Sequence, residues 1–412
     1  MIPHFHCHSC GSAQGRLILD LGLQPLANNL LSPVDLGTPE PKFPLRIALC
    51  ESCWLLQITD IIPPVQLFSD YLYFSSFSDA LLRHAKESVD HHIAEFRLGP
   101  SSYVVEIASN DGYLLRNFVE AQVPCLGIEP ATNIAKIATE RGIPTLNRFF
   151  GVELAQELST EGRQADLIIA NNVFAHVPNI NGFVAGLAVL LKPNGYVAIE
   201  FPYGCDLIEH LEFDTIYHEH VFYFTVTALK PVFERHGLEL FHVEHYSIHG
   251  GSLRIFAAHR GAHPQRESIV NLLAEEEAKG VSSIGYYQNF GDLVRQLKDQ
   301  TLALLHSLRE QNQRICAYGA SAKGSTLMNY YGIGRDGFDC IDFVVDRSTA
   351  KHGKLTPGSH LPILPVDELQ TRFAKHALLL TWNFADEILR QQQAWRDSGG
   401  QFIIPVPKVR MV

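Results

Sequence analysis

The stretch that most constrains this 412-residue chain is Tyr103-Val104-Val105-Glu106-Ile107, followed by Ala108-Ser109-Asn110-Asp111-Gly112 and the amphipathic run Tyr113-Leu114-Leu115-Arg116-Asn117-Phe118-Val119. A buried strand, a turn of small and polar residues and a helix, in that order, begin a βαβ unit with parallel strands and helices laid over them. The alternation recurs. Cys125-Leu126-Gly127-Ile128-Glu129 reads as the next strand, closed by Pro130, and Asp166-Leu167-Ile168-Ile169-Ala170 as a later one, running into Asn171, Asn172 and His176. Lys192-Pro193-Asn194-Gly195 turns the chain into a strand over 196–201. Residues 225–236 read as a helix, and 238–246 with 252–258 as a hairpin around His249-Gly250-Gly251. The predicted class is α/β and Rossmann-like. Such sheets bind ligands at the carboxyl ends of their strands, where Asn171, Asn172 and His176 fall.

The first turn, Glu106-x-Ala108-x-Asn110-x-Gly112, resembles the E/D-x-G-x-G-x-G motif of S-adenosylmethionine-dependent methyltransferases, with Ala108 and Asn110 in place of the first two glycines. Small residues there let the backbone pass close to a cofactor, and Glu106 can bind the cofactor's ammonium group. Glu129, ending the second strand, can accept hydrogen bonds from both ribose hydroxyls, with Pro130 beside it. The G-x-G-x-x-G turn of dinucleotide folds is absent here.

Two cysteine pairs, Cys7-His8-Ser9-Cys10 and Cys50-Glu51-Ser52-Cys53, each place two thiolates on a tight turn and together can complete a tetrahedral structural zinc site. A redox pair, an iron–sulfur site and a ligand drawn from His4, His6 or His8 are the competing readings. Pro25, Pro33, Pro39, Pro41 and Pro44 lie between the pairs, so this segment is expected to wander over the surface, with zinc as its staple. Beyond it, Tyr73 lies in an aromatic stretch ahead of a helix over 80–96 and either packs that entry or reaches over the site. The length predicts two or three domains. A formal charge of −11 argues against a nucleic-acid partner, and no apolar run reaches membrane-spanning length. The start carries no signal-peptide pattern, so a cytoplasmic protein is expected.

Residues 265–309 have helical spacing and connect to a second α/β pattern. Arg314-Ile315-Cys316-Ala317-Tyr318 is a strand leading into Gly319-Ala320-Ser321-Ala322-Lys323-Gly324-Ser325-Thr326, a turn with the character of a phosphate cradle. A strand over 341–346 ends in Asp346. A nicotinamide-dependent oxidoreductase with Gly319, Gly324 and Asp346 holding the dinucleotide is therefore the alternative function, although Ser321 obstructs where a second glycine is needed.

The densest chemistry is Tyr217-His218-Glu219-His220. Such a group can remove a proton, orient an imidazole and donate to a developing oxyanion. A solvated polar loop is the bland alternative. A non-catalytic zinc-dependent scaffold would leave this group without purpose.

Taken with Cys7/Cys10/Cys50/Cys53, Tyr73-Phe74-Ser75-Ser76, Asn171 to His176, His249 to Ser252 and Gly319 to Gly324, these motifs resemble S-adenosylmethionine-dependent C-methyltransferases of nucleotide-linked deoxyketosugars along essentially the whole chain. The resemblance implies a zinc-binding module over 1–70, a methyltransferase domain over 71–260 and a C-terminal Rossmann-like α/β domain over 261–412 that helps to hold the sugar nucleotide. It implies Tyr217 and His220 as catalytic, Tyr73, His176 and Glu219 around the reacting sugar, and Ser321 and Lys323 as substrate contacts. On this reading His220 is the base, oriented by Glu219, with His176 a second candidate. Nothing in the sequence fixes an oligomeric state.

Overall fold

The computed structural model describes residues 5–68, 75–77, 79–246, 250–372 and 374–412. Tyr73 and His249 lie outside them. Three sheets organise the described residues.

The central sheet has seven strands in the spatial order Leu238–Tyr246, Ser252–His259, Leu191–Pro202, Ala165–Asn171, Val104–Ile107, Cys125–Ile128, Thr145–Leu146. The last five run parallel, and the first two close the sheet as an antiparallel hairpin. Val104, Val105, Leu167 and Ile168 are fully buried, as continuous Val/Ile/Leu runs require of strands covered on both faces. The strand order reverses beside Val104–Ile107, which opens a crevice at the carboxyl ends of that strand and Ala165–Asn171.

The C-terminal sheet repeats this plan with Ile363–Leu364, Val344–Val345, Ile315–Tyr318, His376–Leu379, Gln401–Ile404 and an antiparallel edge strand, Arg410–Met411. The strand expected over 341–346 contracts to its two fully buried valines. This sheet reverses beside Ile315–Tyr318, and its crevice is bounded by the turns after Tyr318 and Leu379. The helices Glu267–Lys279 and Phe290–Glu310 connect the two sheets, as their spacing predicted. Among the described residues no helix is long and apolar enough to cross a membrane.

The N-terminal sheet corrects the sequence reading. The segment between the cysteine pairs is not irregular: it forms the strands Gly15–Gln24 and Phe43–Cys50 of a four-stranded antiparallel sheet with Leu56–Ile58 and Phe222–Tyr223. Leu19 and Leu21 on one strand and Leu45, Ile47 and Leu49 on the next are buried, so apolar side chains build a core here. Pro25, Pro33, Pro39 and Pro41 are confined to the connection, and Pro44 stands near the start of its strand, where a missing N–H is tolerated. The fourth strand, Phe222–Tyr223, belongs to the sequence of the central part. The module is also tied to the C-terminal part: Leu31 and Leu355 exchange backbone hydrogen bonds of 3.0 and 2.8 Å. A Cβ on Gly291 would lie 2.8 Å from the Ile18 carbonyl oxygen, so the long helix starts directly against the first strand.

Candidate functional site

The turn after Val104–Ile107 holds Ala108, Asn110 and Gly112 at φ of 55°, 49° and 80°, the left-handed region at all three positions where the motif expects glycine. An L-residue there costs about 1–2 kcal/mol, so the loop shape is kept despite two departures from the motif. Gly112 is required twice over, because a Cβ would also meet Ile143 at 2.6 Å. The Glu129 carboxylate accepts hydrogen bonds from the backbone N–H of Asn110 at 2.9 Å and of Ala131 at 2.8 Å, which aims it across the turn. Glu106 stands behind this wall, fully buried, and does not line the cavity described below. Burial, reinforced by Glu129 and Asp111, pushes its carboxyl well above the usual range. One oxygen each of Glu106 and Asp111 is buried without a partner among the described residues. Arg141, 2.8 Å from Asp111, offsets part of the charge at this turn, and a cation such as a sulfonium carrying an ammonium group would favour the ionised forms of the remaining carboxyls, Glu106 and Glu129. Asn172 is also left-handed, at φ 52°, and its N–H donates to the Glu200 carbonyl at 2.7 Å. The buried Asn171 Oδ1 has no partner among the described residues.

Opposite this turn lies the Tyr217–His220 segment. A backbone hydrogen bond from His220 N–H to the Tyr217 carbonyl, 2.9 Å, curls the chain so that residues three apart share a side. Tyr217 Oη lies 2.9 Å from His220 Nε2, and His220 Nδ1 lies 2.9 Å from the Thr215 carbonyl. A carbonyl can only accept, so Nδ1 carries the proton, Nε2 presents its lone pair, and the tyrosine hydroxyl donates to it. The imidazole is therefore oriented by Thr215 and not by Glu219, a correction to the sequence reading. Glu219 turns the other way and accepts from Asn28 Nδ2 at 2.6 Å. Burial raises its carboxyl to about 7, opposed by that hydrogen bond. His218 faces the zinc module, with Nε2 3.2 Å from the Pro44 carbonyl. Val221 locks the segment from both sides: its N–H donates to the Ala175 carbonyl at 2.8 Å and its carbonyl accepts from Ile58 N–H at 2.9 Å. The His176 ring meets that of His220 edge to face at 4.7 Å. Burial lowers His176 to about 4, so at neutral pH it is uncharged and a weaker base than a free imidazole.

A cavity of 420 Å³ joins these two walls to a third. Of the residues singled out from sequence, Ala108, Asn110, Glu129, Pro130, Asn171, Asn172, His176, Tyr217, His220, Ser321 and Lys323 line it. Gly112, Glu106 and Glu219 do not, and Tyr73 lies outside the described residues. The third wall is the start of the helix Ala322–Tyr331, where Ser321 caps by accepting from Gly324 N–H at 3.1 Å. Lys323 Nζ lies 4.7 Å from the centre of the Trp382 ring. Lys351, unflagged by sequence, also lines the cavity and donates to the Ala320 carbonyl at 2.8 Å. Asn28, Thr215, Thr381 and Asn383 were missed as well. Thr381 and Asn383 follow a strand's carboxyl end, which was a usable signal, whereas Asn28 and Thr215 carried none. Asp346, the acid required by the dinucleotide reading, accepts from Ala320 and Ser348 N–H at 2.8 and 2.7 Å.

The four thiols of Cys7, Cys10, Cys50 and Cys53 form the only metal-competent cluster among the described residues, with all sulfurs within 4.8 Å of one another. Sulfurs of Cys7 and Cys53 are 3.5 Å apart, and of Cys10 and Cys50 3.6 Å. Tetrahedral zinc with Zn–S of about 2.3 Å sets sulfurs about 3.8 Å apart, so the set fits. His6 and His8 are not in it. Four thiolates leave no open position, which makes the site structural.

Three family models match the chain in succession: a zinc binding domain over residues 7–68, a methyltransferase domain over 81–243 and a C-methyltransferase C-terminal domain over 247–407. The C-methyltransferase NovU of Streptomyces niveus is 34% identical over 411 residues, covering 100% of this chain and 97% of NovU. Among solved structures, magnesium protoporphyrin IX methyltransferase from Synechocystis PCC 6803 is 14% identical with a TM-score of 0.35, over 47% of this chain and 88% of that one. An S-adenosylmethionine-dependent methyltransferase from Clostridium acetobutylicum is 9% identical with a TM-score of 0.35, over 44% and 92%.

Proposed function

The chain belongs to the family of S-adenosylmethionine-dependent C-methyltransferases, and we propose that its acceptor is a nucleotide-linked 4-keto-6-deoxysugar, methylated at C-3 through an enolate. The observation that carries this reading is the Tyr217–His220 pair, 2.9 Å apart in one cavity with the Glu129 turn and the Lys323 helix start. Oxygen and nitrogen acceptors already own a lone pair. A sugar carbon does not, so a neighbouring ketone must acidify its C–H and a base must take the proton.

His220 is that base. Its Nδ1–H is committed to Thr215, so Nε2 is the atom that receives the proton. The Tyr217 hydroxyl, which rests on Nε2, turns to the ketone oxygen and donates to it as charge develops. His176, uncharged at neutral pH, packs against the imidazole and holds it in place. Ala108, Asn110, Glu129, Asn171 and Asn172 would hold the cofactor, with Glu106 behind them, its ionised form favoured only once a cation is bound in front of it. Bound there, S-adenosylmethionine supplies an electrophilic methyl group on a sulfonium. Lys323, Lys351 and the N–H groups at the helix start suit the diphosphate of a sugar nucleotide.

The test is His220→Asn. The variant is expected to keep its affinity for S-adenosylmethionine while losing both methyl transfer and exchange of the substrate's acidic proton with solvent. Exchange retained without methylation would move the base elsewhere.

A further inference from the structure

The atom that fixes the tautomer of His220 is the Thr215 carbonyl oxygen, and Thr215 belongs to the one-turn helix Phe213–Thr215. That turn is gripped from the C-terminal α/β part. Phe213 stacks on Tyr331 with ring centres 5.7 Å apart and planes 23° apart. Asp214, the residue bonded to Thr215, is completely buried, and its Oδ2 accepts from the Trp382 indole Nε1–H at 2.7 Å. The other oxygen of Asp214 has no partner among the described residues. An acceptor this buried is costly to leave unpaired, so the indole N–H is a strong constraint on the turn. Trp382 also carries Lys323 over its ring at 4.7 Å, and Lys323 lines the cavity.

We propose that Trp382 is a positioning residue for the base: through Asp214 it holds the Thr215 carbonyl where His220 Nδ1 needs it. This makes the C-terminal part a component of the proton-transfer machinery as well as a wall of the substrate cavity. The chain of contacts runs Trp382, Asp214, Thr215, His220; the last two line the cavity, and Trp382 and Asp214 do not. The inference rests on His220 being the base, so its test reads the imidazole itself as well as turnover.

The experiment uses the full zinc-loaded chain with ¹⁵N-labelled histidine. In the unsubstituted protein His220 is expected to show the Nδ1–H tautomer, and the opposite tautomer would overturn the proposal before any substitution is made. Trp382→Phe keeps a ring under Lys323 but removes the N–H. It is expected to lose the single tautomer and to lower kcat by roughly 10- to 100-fold, the scale of a misplaced reacting group, with KM for the sugar nucleotide and for S-adenosylmethionine unchanged. Asp214→Asn keeps an acceptor for the indole and is expected to retain the tautomer and most of kcat. A Trp382→Phe protein with an unchanged tautomer and kcat would refute the positioning role. A preserved tautomer dependence on Trp382 with substrate exchange unaffected would instead refute His220 as the base.

Discussion

Tyr217→Phe separates two roles that the 2.9 Å contact to His220 Nε2 permits. If the hydroxyl only rests on the imidazole, its removal forfeits one neutral hydrogen bond, about 0.5–1.5 kcal/mol. At 1.36 kcal/mol per decade that is a loss of about 2- to 13-fold. If it donates to the enolate oxygen, the loss is that of an oxyanion donor, about 2.7–4 kcal/mol or 10²–10³ in kcat. The mechanism above predicts the larger figure, because the Nδ1–H of His220 is already committed to Thr215 and cannot supply the donor. Steady-state methylation followed by mass spectrometry, with solvent exchange measured in parallel, reads both quantities. Exchange should fall by the same factor, since the enolate precedes the methyl transfer, and cofactor affinity should hold. A loss of about 13-fold or less in both would refute the donor role and leave Tyr217 as a support for the ring.

Removing zinc should disable the base before the cofactor site, because Leu56–Ile58 follows Cys53 directly and pairs with Phe222–Tyr223 beside His220. Chelation is expected to abolish solvent exchange while S-adenosylmethionine binding, followed by calorimetry, survives; retained exchange would count against this coupling. Glu219, raised to about 7 from an ordinary 4.5, holds its proton more tightly folded than unfolded between those values. Folding stability should therefore fall as pH rises through that window, by on the order of 3 kcal/mol for this group. Glu212 and Asp214, raised to about 7 and about 6 by burial, act in the same sense. Glu219→Gln should flatten the decline of Tm with pH, and an unchanged slope would contradict the assignment.

Most of the central sheet was legible because Val104–Ile107, Cys125–Ile128 and Ala165–Asn171 are short apolar runs closed by small or polar residues, so local pattern and chain order sufficed; the two-residue strand Thr145–Leu146 is too short to leave such a pattern. The shape of the turn from Glu106 to Gly112 was legible despite Ala108 and Asn110, since both take the left-handed conformation that the missing glycines would have taken. What the sequence hid depends on distant pairing. Nothing local announces that Phe222–Tyr223 completes the sheet of the zinc module, or that Trp382 reaches Asp214 across 168 positions. Glu219 was misread for a related reason: adjacency to His220 suggested a partner, but the turn places residues three apart together and sends Glu219 to Asn28. The prolines between the cysteine pairs masked buried leucines and isoleucine that form two strands.

The most direct test of the central claim is mass spectrometry of thymidine- and guanosine-linked 4-keto-6-deoxysugars incubated with the protein and S-adenosylmethionine in heavy water. The account predicts gain of one methyl group with loss of one carbon-bound hydrogen, and deuterium uptake at the same carbon when the cofactor is withheld. No change in either sugar, with S-adenosylmethionine bound, would contradict it and place the acceptor outside ketosugars.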